Sequence, residues 1–119
     1  MRQPLKVAIV GPCCAGKTTL AAALRERGYE ASPLAQEHSF APGMWEKMAH
    51  PDALVYLDVT YEVAQHRRFM NWTPADMAEE QRRLRHAREH CDLYLHTDEL
   101  TVEQVRKTVL DFLRVRNAP

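Results

Sequence analysis

At 119 residues, of which 45% are hydrophobic and 27% charged, the chain has the composition of one compact globular domain rather than of a disordered segment. Lys plus Arg and Asp plus Glu each number 16, so the formal net charge is zero, which argues against a broadly basic surface built to grip nucleic acid. No apolar run reaches the roughly 18 residues of a membrane helix, and the polar N-terminus enters a strand instead of a signal peptide, so the expected location is the cytoplasm.

In chain order, Leu5–Val10 is a short run rich in β-branched residues that stops at Gly-Pro, the pattern of a strand buried on both faces. Lys17–Arg27 carries Leu20, Leu24 and alanines at helical spacing, with Gly28 placed to end the helix in a left-handed conformation. Glu30–Glu37 is a weaker strand interrupted by Pro33. Pro42–His50 has room for a helical turn or two, with Met44, Trp45 and Met48 on one side. Leu54–Val59 is the clearest strand after the first, and Tyr61–Phe69 is helical. Thr73-Pro74-Ala75-Asp76 opens a helix that runs to about His90: threonine caps it, proline fits its first position and the aspartate favours its N-terminal dipole. Asp92–Leu95 is a last short strand. Thr101-Val102-Glu103-Gln104 is a capping box, and the helix it opens presents Val102, Val105, Val109, Phe112 and Leu113 along one face.

Strands alternating with helices predict an α/β fold over residues 1–119, one domain of three layers, with a parallel four-stranded sheet in the order 2-1-3-4 and helices on both faces. The crevice is expected at the C-terminal ends of the strands, beside Gly11, Glu37 and Asp58.

The sharpest motif is Gly11-Pro12-Cys13-Cys14-Ala15-Gly16-Lys17-Thr18, between the first strand and the first helix. Such a P-loop turns successive backbone N–H groups toward a phosphate. Its glycines allow close approach, and the helix behind it presents a positive dipole end. Lys17 is expected to reach the β- and γ-phosphates, the Thr18 hydroxyl to ligate Mg²⁺, and Thr19 to contact the α-phosphate. Two glycines, a lysine and a Ser/Thr at these spacings arise by chance in roughly one in a few hundred chains of this length. Cys13 and Cys14 fill the variable positions. A helix N-terminus can lower a thiol pKa and make the loop redox-sensitive, whereas small residues that merely fit a tight loop are the plainer reading. Adjacent cysteines are poor spacing for a metal site, and an odd number of them, three, fits reduced thiols better than a disulfide framework.

With this Walker A run and the stretch Asp52-Ala53-Leu54-Val55-Tyr56-Leu57-Asp58-Val59, the chain resembles P-loop kinases of the nucleoside and nucleotide kinase group. Its end, Cys91-Asp92-Leu93-Tyr94-Leu95-His96-Thr97-Asp98-Glu99-Leu100 followed by Val102, Glu103 and Val105, is similar to the last strand and helix of that group. The resemblance implies a lid helix over Tyr61–Met70 with Arg67 and Arg68 as lid arginines, in a lid-like region 61–90. It also implies a P-loop NTPase fold, ATP or GTP as ligand, and Mg²⁺. The group usually has several helices and another strand before the lid strand, where the phosphate acceptor binds. Here only Gly28–Ala53 is available, so the acceptor region is reduced and the acceptor stays unnamed.

Two acids are candidates for holding Mg²⁺ or acting as base, Glu37 at the end of the second strand and Asp58 at the end of the third. Arg67 and Arg68 either neutralise charge on a transferring phosphoryl group or are solvated helix charges. Arg82, Arg83, Arg85 and Arg88 alternate with Glu79, Glu80 and Glu89, a solvated face with a Glu79–Arg83 pair at i,i+4. His86 and His90 share a face without a third ligand nearby in sequence, and Trp45 and Trp72 either stack on a base or pack inside. The functional expectation is a nucleoside-triphosphate-binding protein that transfers phosphate to a small acceptor, or a binding module with slow or no catalysis. A homodimer using Met44, Trp45 and Met48 is a further possibility.

Overall fold

The computed structural model describes residues 4–69 and 71–117. Its elements are β1 Lys6–Val10, α1 Lys17–Glu26, β2 Glu30–Pro33, a 3₁₀ turn Gln36–His38, α2 Met44–Ala49, β3 Ala53–Asp58, α3 Tyr61–Arg67, α4 Pro74–His90, β4 Leu93–His96 and α5 Val102–Arg116. The four strands form one parallel sheet in the order β2-β1-β3-β4, the expected α/β arrangement. Met70, the last residue of the expected lid helix, lies outside the described residues.

Pleating sends alternate side chains to opposite faces, and each face buries a different set of helices. Val7, Ile9, Val55 and Leu57 pack with Leu20, Ala21 and Leu24 of α1 and Val109, Leu110 and Leu113 of α5. Ala8, Val10, Leu54 and Tyr56 face the other way, onto Trp45 of α2 and Leu84 and Ala87 of α4. Hence α4, within the stretch expected to be lid-like, builds one layer of the core. No helix among the described residues is long and apolar enough to cross a membrane.

Helix ends follow the local chemistry. Thr73 with Asp76 and Thr101 with Gln104 form complete capping boxes. At the end of α1, Tyr29 N–H bonds Leu24 O (3.1 Å) and Gly28 N–H bonds Arg25 O (3.0 Å), with Gly28 at φ +89°, a Schellman motif. Three aspartates anchor strand ends and the next helix: Asp52 accepts Lys6 N–H, Asp92 accepts Leu54 N–H and Asp98 accepts Thr60 N–H.

β2 is shorter than the sequence pattern implies. Pro33 has no N–H to donate, the last bond to β1 comes from Leu34 N–H to Ile9 O (2.9 Å), and the chain then turns. Glu37 therefore lies in the 3₁₀ turn and not at a strand end. Trp45 is a core residue, which removes it from the dimer contact expected with Met44 and Met48; Met48 itself is exposed.

Gly11 leaves β1 at φ +152°, and a Cβ there would lie 2.0 Å from Leu57 O of β3. Gly11→Ala should cost at least about 3 kcal/mol of stability. Gly16→Ala, whose added carbon meets nothing within 4 Å, should lose only about 1–2 kcal/mol through its left-handed backbone. Urea denaturation measures both, and equal losses would show that Leu57 is not the constraint.

Candidate functional site

The site is built where β1 ends beside β3. Backbone angles of φ +67° at Cys14 and φ +100° at Gly16 curl residues 11–16 into a tight loop, closed by Ala15 N–H on Pro12 O (3.3 Å). α1 begins directly behind it at Lys17. The first-turn N–H groups of a helix have no intrahelical acceptor, and its dipole is positive there, so the loop and helix start together offer donors to an anion.

Lys17 folds back across the loop. Its ammonium donates to Gly11 O (2.6 Å) and to the Glu37 carboxylate, and their side chains are only 12% and 5% exposed. Glu37 accepts through Oε2. Its Oε1 is buried without a hydrogen-bond partner among the described residues. A buried acceptor without a donor is costly, and a cation or a water at that oxygen would relieve it. The turn carrying Glu37 is pinned by Gln36, fully buried, which accepts Trp45 N–H (2.9 Å) and donates to Ala41 O (2.9 Å).

Lys17, Thr18, Glu37, Arg67 and Arg68 line one cavity of about 410 Å³, together with loop residues Cys13 to Gly16 and Thr19. Gly11 and Pro12 are buried and contribute carbonyls to Lys17. Arg67 is tethered: its Nη1 donates to Cys14 O (3.0 Å) and Thr97 Oγ1 (3.0 Å), and its Nη2 to Thr97 O (2.7 Å). Arg68 is exposed at the rim.

Asp58 is placed differently. Its Oδ1 accepts Val59 N–H (2.9 Å) and its Oδ2 accepts the Tyr94 hydroxyl, so both oxygens serve the sheet and its flank. Burial, then the hydrogen bond to Asp58 and its charge, pushes Tyr94 up to about 12.

Two further cavities flank the loop. One of about 240 Å³ lies beyond Cys14, Gly16 and Thr19 and is closed by Arg67, Thr97 and Val105. The other, about 360 Å³, opens on the Cys13 side between His38, Trp72, Glu80 and Arg83.

Glu80 is the residue the sequence reading missed. It looked like part of a solvated charged face, yet it is 8% exposed and reaches the loop from α4. Its Oε1 accepts Cys13 N–H (2.9 Å) and its Oε2 accepts the Cys13 thiol (3.2 Å). The signal was present in the spacing: Met77, Glu80, Leu84 and Ala87 form one buried helical stripe, and Glu80 is its single polar member. The other features are structural. Trp45 donates to His86 Nδ1 (3.1 Å), His86 and His90 stack at 4.2 Å, and Trp72 packs edge-on against Tyr61. Arg83 pairs with Glu79 at 3.3 Å and lies over the Phe40 ring.

Compared with known proteins, the chain matches no family model and no curated protein.

The environment of Cys13 favours the plainer reading of a small loop residue over an activated thiol. Burial, reinforced by the hydrogen bond and charge of Glu80 and by Glu37, outweighs Lys17 and pushes the thiol from 9.0 up to about 12. The proton is held more tightly in the folded state than in the unfolded one. Cys13 thus stabilises the fold fully below pH 9.0, and that contribution is lost as pH rises through about 12. In a Cys14→Ser/Cys91→Ser background with chelator present, iodoacetamide should modify Cys13 at about pH 8 at least about a hundredfold more slowly than a small free thiol. Glu80→Gln should restore part of the rate. Alkylation as fast as that of the free thiol would refute this account.

Proposed function

We propose that residues 11–18 form a P-loop that holds the phosphates of ATP or GTP, and that the chain is a Mg²⁺-dependent phosphotransferase of the small-kinase type. The observation that carries this reading is the position of Lys17. Its ammonium sits over a glycine-curled loop at a helix N-terminus, in one cavity with a hydroxyl, a buried carboxylate and two arginines. A triphosphate entering there would take Lys17 from Gly11 O and meet the donors of the α1 first turn. The 240 Å³ cavity beyond Gly16 and Thr19 suits the base, with the Arg67 guanidinium at its edge.

The residues fit a magnesium ion: Thr18 and Glu37 share the cavity, and Glu37 Oε1 is a buried oxygen in want of a positive partner. Bound there, the ion would neutralise charge on the phosphates. Lys17 orients them, Glu37 holds the ammonium and the metal side together, and Arg68 neutralises charge at the open rim. Arg67, fixed to Cys14 and Thr97, positions the loop against the β4–α5 connection. Asp58, occupied by Tyr94 and Val59, takes no part.

The second reading is a nucleotide-binding regulatory module with slow or no turnover. It is favoured by the short stretch 28–53, which holds β2, the 3₁₀ turn and α2 and no further strand or long helix. Multiple-turnover assays with nucleosides, nucleotides and small alcohols as acceptors separate the two, since sustained transfer excludes the module.

Calorimetric titration with ATP, GTP and ADP in Mg²⁺ tests the phosphate site itself. Lys17→Ala should weaken triphosphate binding by roughly 10–100-fold. Because that change strands the buried Glu37 carboxylate, Lys17→Ala/Glu37→Gln is compared with Glu37→Gln alone, and their difference isolates the lysine. Equal affinities with the fold intact by circular dichroism would end the P-loop reading.

A further inference from the structure

On the Cys13 side of the loop, three donor atoms of different chemistry converge from three separate elements. Cys13 comes from the β1–α1 loop, His38 from the 3₁₀ turn and Glu80 from α4. Cys13 Sγ lies 3.7 Å from His38 Nε2 and 3.2 Å from Glu80 Oε2, and all three atoms lie within 4.8 Å of one another. We propose that Cys13, His38 and Glu80 form a three-ligand site for a divalent cation of the zinc class, its fourth position open to the 360 Å³ cavity that all three line. This inference does not rest on the nucleotide reading.

The geometry is close to that of a bound ion. With Zn–S near 2.3 Å and Zn–N or Zn–O near 2.0–2.1 Å, tetrahedral angles require ligand–ligand edges of about 3.3–3.6 Å. The two measured edges fall within a few tenths of an ångström of that range, and the side chain of His38, 59% exposed, has the freedom to close the third. Glu80 is already oriented: its Oε1 accepts Cys13 N–H, which turns Oε2 to the sulfur. This is the outer-shell support that ligating carboxylates use.

The donor set selects the metal class. A thiolate, a neutral imidazole and a carboxylate suit zinc or cobalt, whereas magnesium prefers oxygen donors alone. On binding, the thiol S–H bond breaks, an S–metal bond forms and one proton leaves to solvent. Thiolate and carboxylate together balance the double positive charge. Three protein ligands and one open position is also the pattern of a cation that takes a donor atom from a molecule in the cavity.

Cobalt is the probe. Titrating the metal-free full chain with Co²⁺ should give one equivalent of binding, a thiolate-to-cobalt charge-transfer band in the near ultraviolet and intense four-coordinate bands in the visible. Zn²⁺ should abolish them and excess Mg²⁺ should not. Cys13→Ser should lose the charge-transfer band, and His38→Gln should weaken affinity by at least about tenfold. If Cys13→Ser fails to fold, the Cys14→Ser/Cys91→Ser chain decides, because the band must persist with Cys13 as its single thiol. Absence of cobalt binding, a charge-transfer band that survives Cys13→Ser, or one that disappears in Cys14→Ser/Cys91→Ser would each overturn the proposal.

Discussion

A lysine ammonium held in the interior must be matched by acceptors, and the way Lys17 is matched organises its whole surroundings. Desolvating a charge is costly unless partners replace the lost water. Here the carbonyls of Gly11 and Pro12 and the carboxylate of Glu37 do so. The carbonyls belong to the loop itself, but Glu37 belongs to the turn after β2, so the ion pair ties two segments that the sheet alone would leave independent. Gln36 secures the same turn to α2, and Arg83 Nη1 reaches Glu37 O at 3.4 Å from α4. With Gln36 and Glu37 held, His38 comes to lie beside Cys13.

That network explains which parts of the structure could be read from the sequence. Signals carried by adjacent residues came through well: the capping boxes at Thr73 and Thr101, the left-handed Gly28, and the β-branched runs that order the sheet. Signals that depend on distant partners did not. Pro33 already marked a weakness in β2, but only the bonding to β1 shows that the strand stops there and that Glu37 rides a turn. Val102 fits the helical spacing of α5 yet is 61% exposed as the first residue of that helix. Glu80 sat among arginines and looked solvated until α4 was packed against the loop. A cysteine at a helix N-terminus can have a lowered pKa, but here burial, reinforced by a carboxylate 67 positions away, raises it.

The two candidate acids illustrate the same division. Asp58 ends the buried β3 and Glu37 lies in the turn after the shorter, partly exposed β2, and nothing in their flanking residues ranks them. Their neighbours across the sheet do. Tyr94 on β4 and the adjacent Val59 N–H use both oxygens of Asp58, whereas Glu37 meets a cation with one oxygen and leaves the other unmatched. An acid whose hydrogen bonds are complete is part of the framework. One with a buried, unmatched oxygen has room for a donor there, which is why Glu37 and not Asp58 carries the proposed metal role.

The paired cysteines follow from the loop's curvature. A left-handed residue at Cys14 reverses the backbone between two neighbours that would otherwise share one environment. Cys13 then lines the cavity under α4, where its N–H and thiol both meet Glu80, and Cys14 lines the opposite cavity, where its carbonyl holds Arg67. The loop is thus braced from α4 on one side and from α3 on the other. The side-chain chemistry on the Cys13 flank is acidic and soft, and that on the Arg67 flank is cationic and largely apolar, with Lys17 between them. A single tight turn can therefore keep the two proposed sites apart, because the cation would meet the sulfur of Cys13 and the phosphates the ammonium of Lys17 with the first-turn amides of α1.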